Sequence, residues 1–232
     1  MNKTQSHTES RHETKFVLPN SSSHIISQWL KYRCLPDPEF PAGIVSSIYY
    51  DTPDWRFMRE KVNSDYLKTK IRLRWYADID TEEPQGQSYI EAKFKVGSRR
   101  QKIRIKTNIS GNWLHTAGLE RRKLLRVPYL LRSKGVILRG QVVPVFKISY
   151  KRRRFVEPTT GARLSLDYDI SSPCVNHHVL PRTNPFGLQT AVFELKGILS
   201  ELPEVLGQLT ALGCRKQSFS KYSICYQKIM RI

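Results

Sequence analysis

The sequence has 232 residues, 39% of them hydrophobic, with four Trp, eleven Tyr and nine Phe, which is enough for one packed core and too apolar for a disordered chain. Thirty-nine Lys and Arg against twenty Asp and Glu leave a formal charge of +19, an excess that points to a polyanionic partner: nucleic acid, an anionic membrane or a phosphorylated small molecule. No window approaches the roughly eighteen apolar residues of a membrane span, and the first residues lack the apolar stretch of a secretion signal. Cys34, Cys174, Cys214 and Cys225 are scattered, with no CxxC pair. That pattern reads as four reduced thiols in a cytoplasmic protein.

In chain order, residues 1–10 read as a polar, disordered tail and 11–232 as a single domain. Residues 11–18 form the first expected strand. The serines at 21–23 then cap a short amphipathic helix over 24–32 carrying Ile25, Ile26, Trp29 and Leu30. Three prolines within 35–41 make that segment a connector without regular ladder bonding. Strands are expected over 44–51, 69–77, 88–96 and 100–107, the last two joined at Gly97-Ser98 as the clearest hairpin. A helical stretch over 112–133 precedes strands over 142–156, 162–168 and 190–197, and helices close the chain at 202–212 and 221–230. There is no internal repeat.

The alternation places charge where a simple amphipathic sheet would mix signs. Arg72 and Arg74 share one strand face opposite Ile71, Leu73 and Trp75. Glu91, Lys93 and Lys95 share a face of the next strand, and Lys102, Arg104 and Lys106 a face of the one after. From Lys93 to Lys106 there are seven basic residues and no acidic one. A half-buried sheet with its polar side in water accounts for the alternation alone. Like charges set side by side on neighbouring strands are destabilising, however. A closed antiparallel barrel holding a multivalent anion in a charged lumen, with helices covering its outer face, accommodates them. Nucleic-acid binding on an open basic face is the competing reading. It lacks zinc-finger spacing, a helix-turn-helix or the aromatic motifs of an RNA-recognition sheet. No GxxxxGK[ST] or GxGxxG loop occurs, so any triphosphate is gripped by side chains.

The residues Arg11-His12-Glu13-Thr14-Lys15-Phe16, Tyr49-Tyr50-Asp51-Thr52-Pro53 and Lys70-Ile71-Arg72-Leu73-Arg74-Trp75-Tyr76, in this order, resemble the VTC domain. This is the catalytic domain of the vacuolar transporter chaperone complex, within the CYTH or triphosphate-tunnel superfamily. The resemblance continues through Glu91-Ala92-Lys93, Tyr150-Lys151-Arg152, Arg163-Leu164-Ser165-Leu166-Asp167, Phe193-Glu194-Leu195-Lys196 and Phe219-Ser220-Lys221-Tyr222. It implies a mainly β (α+β) fold: a closed antiparallel eight-stranded tunnel barrel with covering helices. It also implies an ATP-dependent polyphosphate polymerase that transfers the γ-phosphoryl group to a growing chain and releases ADP.

The residue roles it implies are phosphate contact by Lys15, Arg72, Arg74 and Lys221 at the reacting end, with Arg152 and Arg163 further along. Glu194 is implied as the ligand of Mn²⁺ or Mg²⁺. Beside these, the alternation adds Lys93, Lys95, Arg104 and Lys196 as substrate-binding cations. Glu13, Glu91 and Asp167 are possible metal supports or charge-balancing partners, Asp167 otherwise orienting Arg163. Arg72 and Arg74 offer planar forks for bidentate phosphate contact. His177-His178 is a weak metal signal without further spaced ligands, and Tyr49, Tyr50 and Trp75 read as core. One departure stands out: the eukaryotic polymerase has Lys-Phe-Ser-Lys where this chain has Ser218-Phe219-Ser220-Lys221. A triphosphate, polyphosphate or nucleoside triphosphate hydrolase is therefore the enzymatic alternative, and a non-catalytic polyphosphate-binding module the other. The eukaryotic complex's SPX sensor and membrane helices have no counterpart in this sequence, so the resemblance is to the stand-alone prokaryotic type. A membrane-bound partner stays open.

Overall fold

The computed structural model describes residues 12–63, 66–97, 99–197 and 202–231; the expected tail at 1–10, Arg11 and the turn residue Ser98 lie outside them. The elements run β1 (His12–Pro19), α1 (Ser23–Arg33), β2 (Leu35–Pro36), β3 (Ala42–Asp51), α2 (Arg56–Val62), β4 (Leu67–Ala77), β5 (Pro84–Val96) and β6 (Arg99–Thr107). There follow α3 (Gly111–Thr116), α4 (Arg122–Arg126), β7 (Val143–Val156), β8 (Arg163–Ser172), β9 (Phe186–Gly187), β10 (Thr190–Gly197), β11 (Arg215–Lys216) and α5 (Lys221–Met230). Each long strand is a stretch of alternating or β-branched sequence. Gly97, at φ +60°, turns β5 into β6 where a Cβ would lie 2.8 Å from the Tyr66 ring.

Hydrogen bonding orders the strands β11-β1-β10-β8-β7-β3-β4-β5-β6, with β2 on β7 and β9 on β8. The order ends at β11 and β6 and does not return on itself. The closed eight-stranded tunnel barrel with a charged lumen is therefore corrected to an open sheet of eleven strands. The charges themselves explain why closure is not required. Charged residues on an edge strand are a usual protection against pairing with another chain. β6, at one end, carries Arg100, Lys102, Arg104 and Lys106, while β11, at the other, is only Arg215–Lys216. The basic residues read as lining a lumen also guard an edge.

The helices expected over 24–32 and 221–230 are present as α1 and α5, α2 was not expected, and the other two expected stretches are broken up. The stretch over 112–133 is split into α3, α4 and a 3₁₀ segment, Val127–Lys134, with Pro128 in its first turn. The stretch over 202–212 holds a single 3₁₀ segment, Glu204–Leu209, with Gly207 within it. The proline connector contributes one short pairing after all, Leu35 and Pro36 against Val156 and Phe155.

The chain divides into two units: residues 1–42, 152–168 and 189–219 form the first, and 43–151, 169–188 and 220–232 the second. In the first, Phe16 and Leu18 of β1, Leu164 and Leu166 of β8 and Ala191, Phe193 and Leu195 of β10 bury one sheet face under Ile26 and Leu30 of α1. In the second, Ile71, Leu73 and Trp75 of β4 and Ile90 and Ala92 of β5 pack under Leu114, Leu124, Val127 and Leu131. In each unit the face opposite this core carries the polar and charged side chains.

One buried charge belongs to the core side. Lys147 of β7 donates from Nζ to the carbonyls of Leu114 (3.1 Å) and His115 (3.0 Å) in the last turn of α3. Burial holds its pKa below the ordinary lysine value. Lys147→Met removes the donor and leaves the carbonyls without it, which costs about 1–3 kcal/mol of stability. Urea unfolding measures this, and an unchanged midpoint would show those carbonyls are satisfied without Lys147.

Candidate functional site

In the second unit, strand register converts the alternation into rows of charge. On the face opposite the core, Lys68, Lys95 and Arg100 stand in register across β4, β5 and β6, and Lys70, Lys93 and Lys102 form the next row. The third row is Arg72, Glu91 and Arg104, and the fourth is Arg74, Tyr89 and Lys106. These four rows carry ten basic residues and one carboxylate, Glu91. Side chains directly opposite on paired strands lie about 5 Å apart, so such rows repel.

Glu91 is the counterweight. It is 1% exposed and is touched by four cations. Its Oε2 accepts from Arg72 Nε at 2.8 Å and lies 2.7 Å from Arg72 Nη2, with Arg74 Nη1 at 3.8 Å. Its Oε1 has Lys102 Nζ at 3.5 Å and Arg104 Nε at 3.6 Å, charge contacts that are too long for hydrogen bonds. Burial opposes ionisation, but Arg72, Arg74 and Lys102 outweigh it and hold the carboxyl down at about 2.

Arg74 is buried, its Nε donating to Ser47 Oγ (3.3 Å) and its Nη2 to Tyr150 OH (3.4 Å). Lys221, the first residue of α5, lies over the Tyr150 ring at 4.5 Å. Tyr150 thus receives one basic residue on its hydroxyl and another on its face. Arg104 stacks on Tyr89, 3.8 Å from the ring centroid, which fixes its plane.

The first unit carries a different balance. Lys15 of β1 lies opposite Glu194 of β10, which lies opposite Ser165 of β8, while Glu13, Lys196 and Arg163 form the neighbouring row. Lys15 Nζ is 3.1 Å from Glu13 and 3.5 Å from Glu194, and it donates to the Phe219 carbonyl at 3.3 Å. Lys196 Nζ is 3.2 Å from the other oxygen of Glu194. Glu194 lies well below the usual carboxylate range: burial opposes its ionisation, but the charges of Lys196, Lys15 and Arg152 outweigh it. Asp167, 1% exposed, takes Arg152 as a bidentate partner at 2.5 and 2.6 Å. It orients Arg152 rather than Arg163, which is exposed.

The predicted site residues therefore fall into two groups. Arg72, Arg74, Glu91, Lys93, Lys95, Arg104 and Lys221 belong to the second unit, and Glu13, Lys15, Arg152, Arg163, Asp167, Glu194 and Lys196 to the first. Sequence reasoning missed Lys68 and Arg100 as row members, and Tyr150 as the residue between Arg74 and Lys221. The alternation of β4, extended back to Lys68, signals the former. His177 and His178 are exposed turn residues.

The family model of the VTC domain matches residues 10–230. The chain belongs to the VTC-domain family. No curated protein matches it in sequence. Among solved structures, a Bacillus halodurans protein described as a "putative adenylate cyclase" is 14% identical over 90% of this chain and 92% of its own, with a TM-score of 0.51. A Vibrio parahaemolyticus protein of the same description is 12% identical over 96% and 98%, with a TM-score of 0.44. The first shares the fold; the second is too distant to bear on it. Among the described residues, no helix is long and apolar enough to cross a membrane.

A VTC domain implies a divalent metal, and the donor chemistry decides where one fits. Among the described residues no three His, Cys, Asp or Glu gather as a ligand set. Mg²⁺ commonly uses only one or two protein carboxylates, completing its shell with water and phosphate oxygens. Glu13 and Glu194, which share Lys15 Nζ at 3.1 and 3.5 Å, are such a pair. Glu91 is surrounded by four cations and Asp167 is taken up by Arg152, so neither fits a metal.

The depressed Glu91 pKa also fixes a pH dependence. The folded value, about 2, lies below the ordinary 4.5, so the stabilisation is fully present above about pH 4.5 and is lost as pH falls through the folded value. About 3 kcal/mol disappears across that window. Glu91→Gln flattens the same stretch of a stability–pH profile measured by urea unfolding. An acid limb as steep in the variant as in the parent would show that another group is responsible.

Proposed function

We propose that the chain is a metal-dependent polyphosphate polymerase, transferring the γ-phosphoryl group of ATP to the end of a growing polyphosphate and releasing ADP. The observation that carries this reading is the face of ten basic residues and one carboxylate on β4, β5 and β6. Membership of the VTC-domain family supports it. Sequence-neutral nucleic-acid binding would use such a face too, but Arg72 and Arg74 lie at its buried end, where a compact phosphate reaches and a duplex does not.

Phosphoryl transfer asks little covalent help of the protein; it needs in-line positioning and stabilisation of charge on the non-bridging oxygens. A terminal phosphate oxygen of the acceptor forms the new bond to the γ-phosphorus. The bond from that phosphorus to the β–γ bridging oxygen breaks, and its electron pair leaves with ADP. Arg72, Arg74 and Lys221 hold phosphoryl oxygens, with Lys93, Lys95 and Arg104 gripping the rest of the chain. Lys15, Arg152, Arg163 and Lys196 are the phosphate-binding cations of the first unit. Glu13 and Glu194 would hold Mn²⁺ or Mg²⁺, which when bound supplies charge neutralisation on the phosphate oxygens.

A hydrolase is the second reading, favoured by Ser218 in place of the polymerase lysine. Incubation with ATP and Mn²⁺ or Mg²⁺, following each product separately, decides between them. ADP formed in step with polymer supports the polymerase. Equimolar ADP and phosphate without polymer establish the hydrolase, and cyclic AMP with pyrophosphate would align the chain with the description of its Bacillus neighbour.

Two variants check the residue roles. Arg74→Gln keeps a polar group beside Ser47 and Tyr150 and lowers tripolyphosphate affinity about tenfold, the scale of one charged hydrogen bond. Glu194→Gln abolishes turnover while retaining most tripolyphosphate binding. Unchanged turnover in that variant would remove Glu194 from the metal site. Both are read by calorimetric titration beside the turnover assay.

A further inference from the structure

Asp51 ends β3 with no solvent exposure, and each of its oxygens is occupied. Oδ1 accepts from the backbone amides of Thr52 (2.7 Å) and Phe57 (2.9 Å). Oδ2 accepts from the Met58 amide (3.0 Å) and from the Tyr222 hydroxyl (2.5 Å). Burial, with Asp51 beside it, pushes that hydroxyl well above the ordinary phenol range, so Tyr222 is the donor. One carboxylate thus joins the β3–α2 turn to the first turn of α5, 171 residues away in the chain.

The same turn grips α5 a second time. Trp55 packs against Tyr226 at a tilt, ring centroids 4.6 Å apart, and its φ of 60° is one that a bulky side chain rarely adopts. Such a conformation persists where the surroundings over-determine it. Tyr222 and Tyr226 are four residues apart, on one side of the helix. The Tyr222 ring is packed as well, stacked on Tyr49 at 5.1 Å and Phe146 at 5.2 Å. Lys221 precedes Tyr222 and lies over Tyr150, the residue whose hydroxyl accepts from Arg74. The rotation and height of α5 therefore decide how Lys221 stands relative to Arg74.

We propose that Asp51 and Tyr222 are positioning residues that hold the first turn of α5 so that Lys221 is presented beside Arg74 to a bound phosphate. This rests on the reading of Lys221 as a phosphate ligand. The residues act through Lys221 and touch no phosphate themselves, which sets them apart from a general contribution to stability.

The test is a double-mutant cycle read by titration with tripolyphosphate at fixed ionic strength. Tyr222→Phe removes the hydroxyl and keeps the aromatic stack; Lys221→Met removes the charge and keeps the length. Each single variant is expected to bind tripolyphosphate about tenfold more weakly. In the Lys221→Met background, adding Tyr222→Phe is expected to change affinity by less than about twofold, because the two act as one unit. If Tyr222→Phe leaves binding unchanged while Lys221→Met weakens it, or weakens it equally in both backgrounds, the positioning role is overturned. If Lys221→Met binds as the parent does, the phosphate-ligand reading fails, and the positioning role with it. Thermal unfolding of each variant accompanies the titrations. A Tyr222→Phe loss that persists undiminished in the Lys221→Met background and tracks a lowered Tm would assign Tyr222 to stability alone.

Discussion

Everything on the charged side of the second unit depends on Glu91 being ionised. Arg72 and Arg74 project from alternate positions of one strand, Lys102 and Arg104 from another, and Glu91 stands on the strand between them. Without a negative charge there, adjacent strands would set guanidinium and ammonium groups opposite one another with nothing to offset them. With it, the third row is held together at the point where it is most buried. The arrangement is costly to break by removing one partner, because a buried charge would be left uncompensated. The rows of Lys68, Lys95 and Arg100 and of Lys70, Lys93 and Lys102 hold six basic residues and no acid, and of these Lys102 reaches Glu91 from the neighbouring row.

The period-two pattern made most of the sheet legible. β3, β4, β5, β6 and β10 contain the stretches where alternating or β-branched sequence called for strands, because a side chain's face is fixed by position alone; β7 and β8 each begin one residue later than expected. Closure is a different kind of property. It depends on which edges meet, and no local period encodes that. Like charges on neighbouring strands do not require enclosure. Glu91 shows a local remedy, and the basic side chains of β6 serve an open edge. The helices expected at 24–32 and 221–230 stand as α1 and α5, whereas the stretches over 112–133 and 202–212 were misjudged for a similar reason. Apolar residues such as Leu114, Leu124, Val127 and Leu131 do cover the sheet, but Pro128 and the breaks between them divide one expected helix into short turns.

Side-chain identity carried the charged groups of the site, and sequence distance concealed their supports. Lys-x-Lys-x-Arg-x-Arg from 68 to 74 announces a basic face directly. Nothing in the neighbourhood of Asp51 announces Tyr222, and a tyrosine in an apolar run is as well explained by packing, which its stacking on Tyr49 and Phe146 also provides. Tyr150 is hidden in the same way, a buried aromatic whose hydroxyl and ring face have separate uses. Such residues become visible only when both ends of a long-range contact are in view.

The two units differ in how they treat their own charge, and the difference bears on chemistry. In the first, Lys15, Lys196 and Arg152 are each within reach of Glu13, Glu194 or Asp167, so the polar face is close to self-neutral. In the second, ten cations share one carboxylate. A nearly balanced face has little long-range pull, but it offers ionised carboxylates, which is what a divalent ion requires. An unbalanced face attracts a polyanion from a distance and holds it through many weak contacts, with strong salt dependence. It gains little from a metal of its own. Excess positive charge and metal-binding carboxylates on one set of strands would partly cancel. Here the near-balanced charges sit on β1, β8 and β10 and the unbalanced ones on β4, β5 and β6, so each set keeps its own sign.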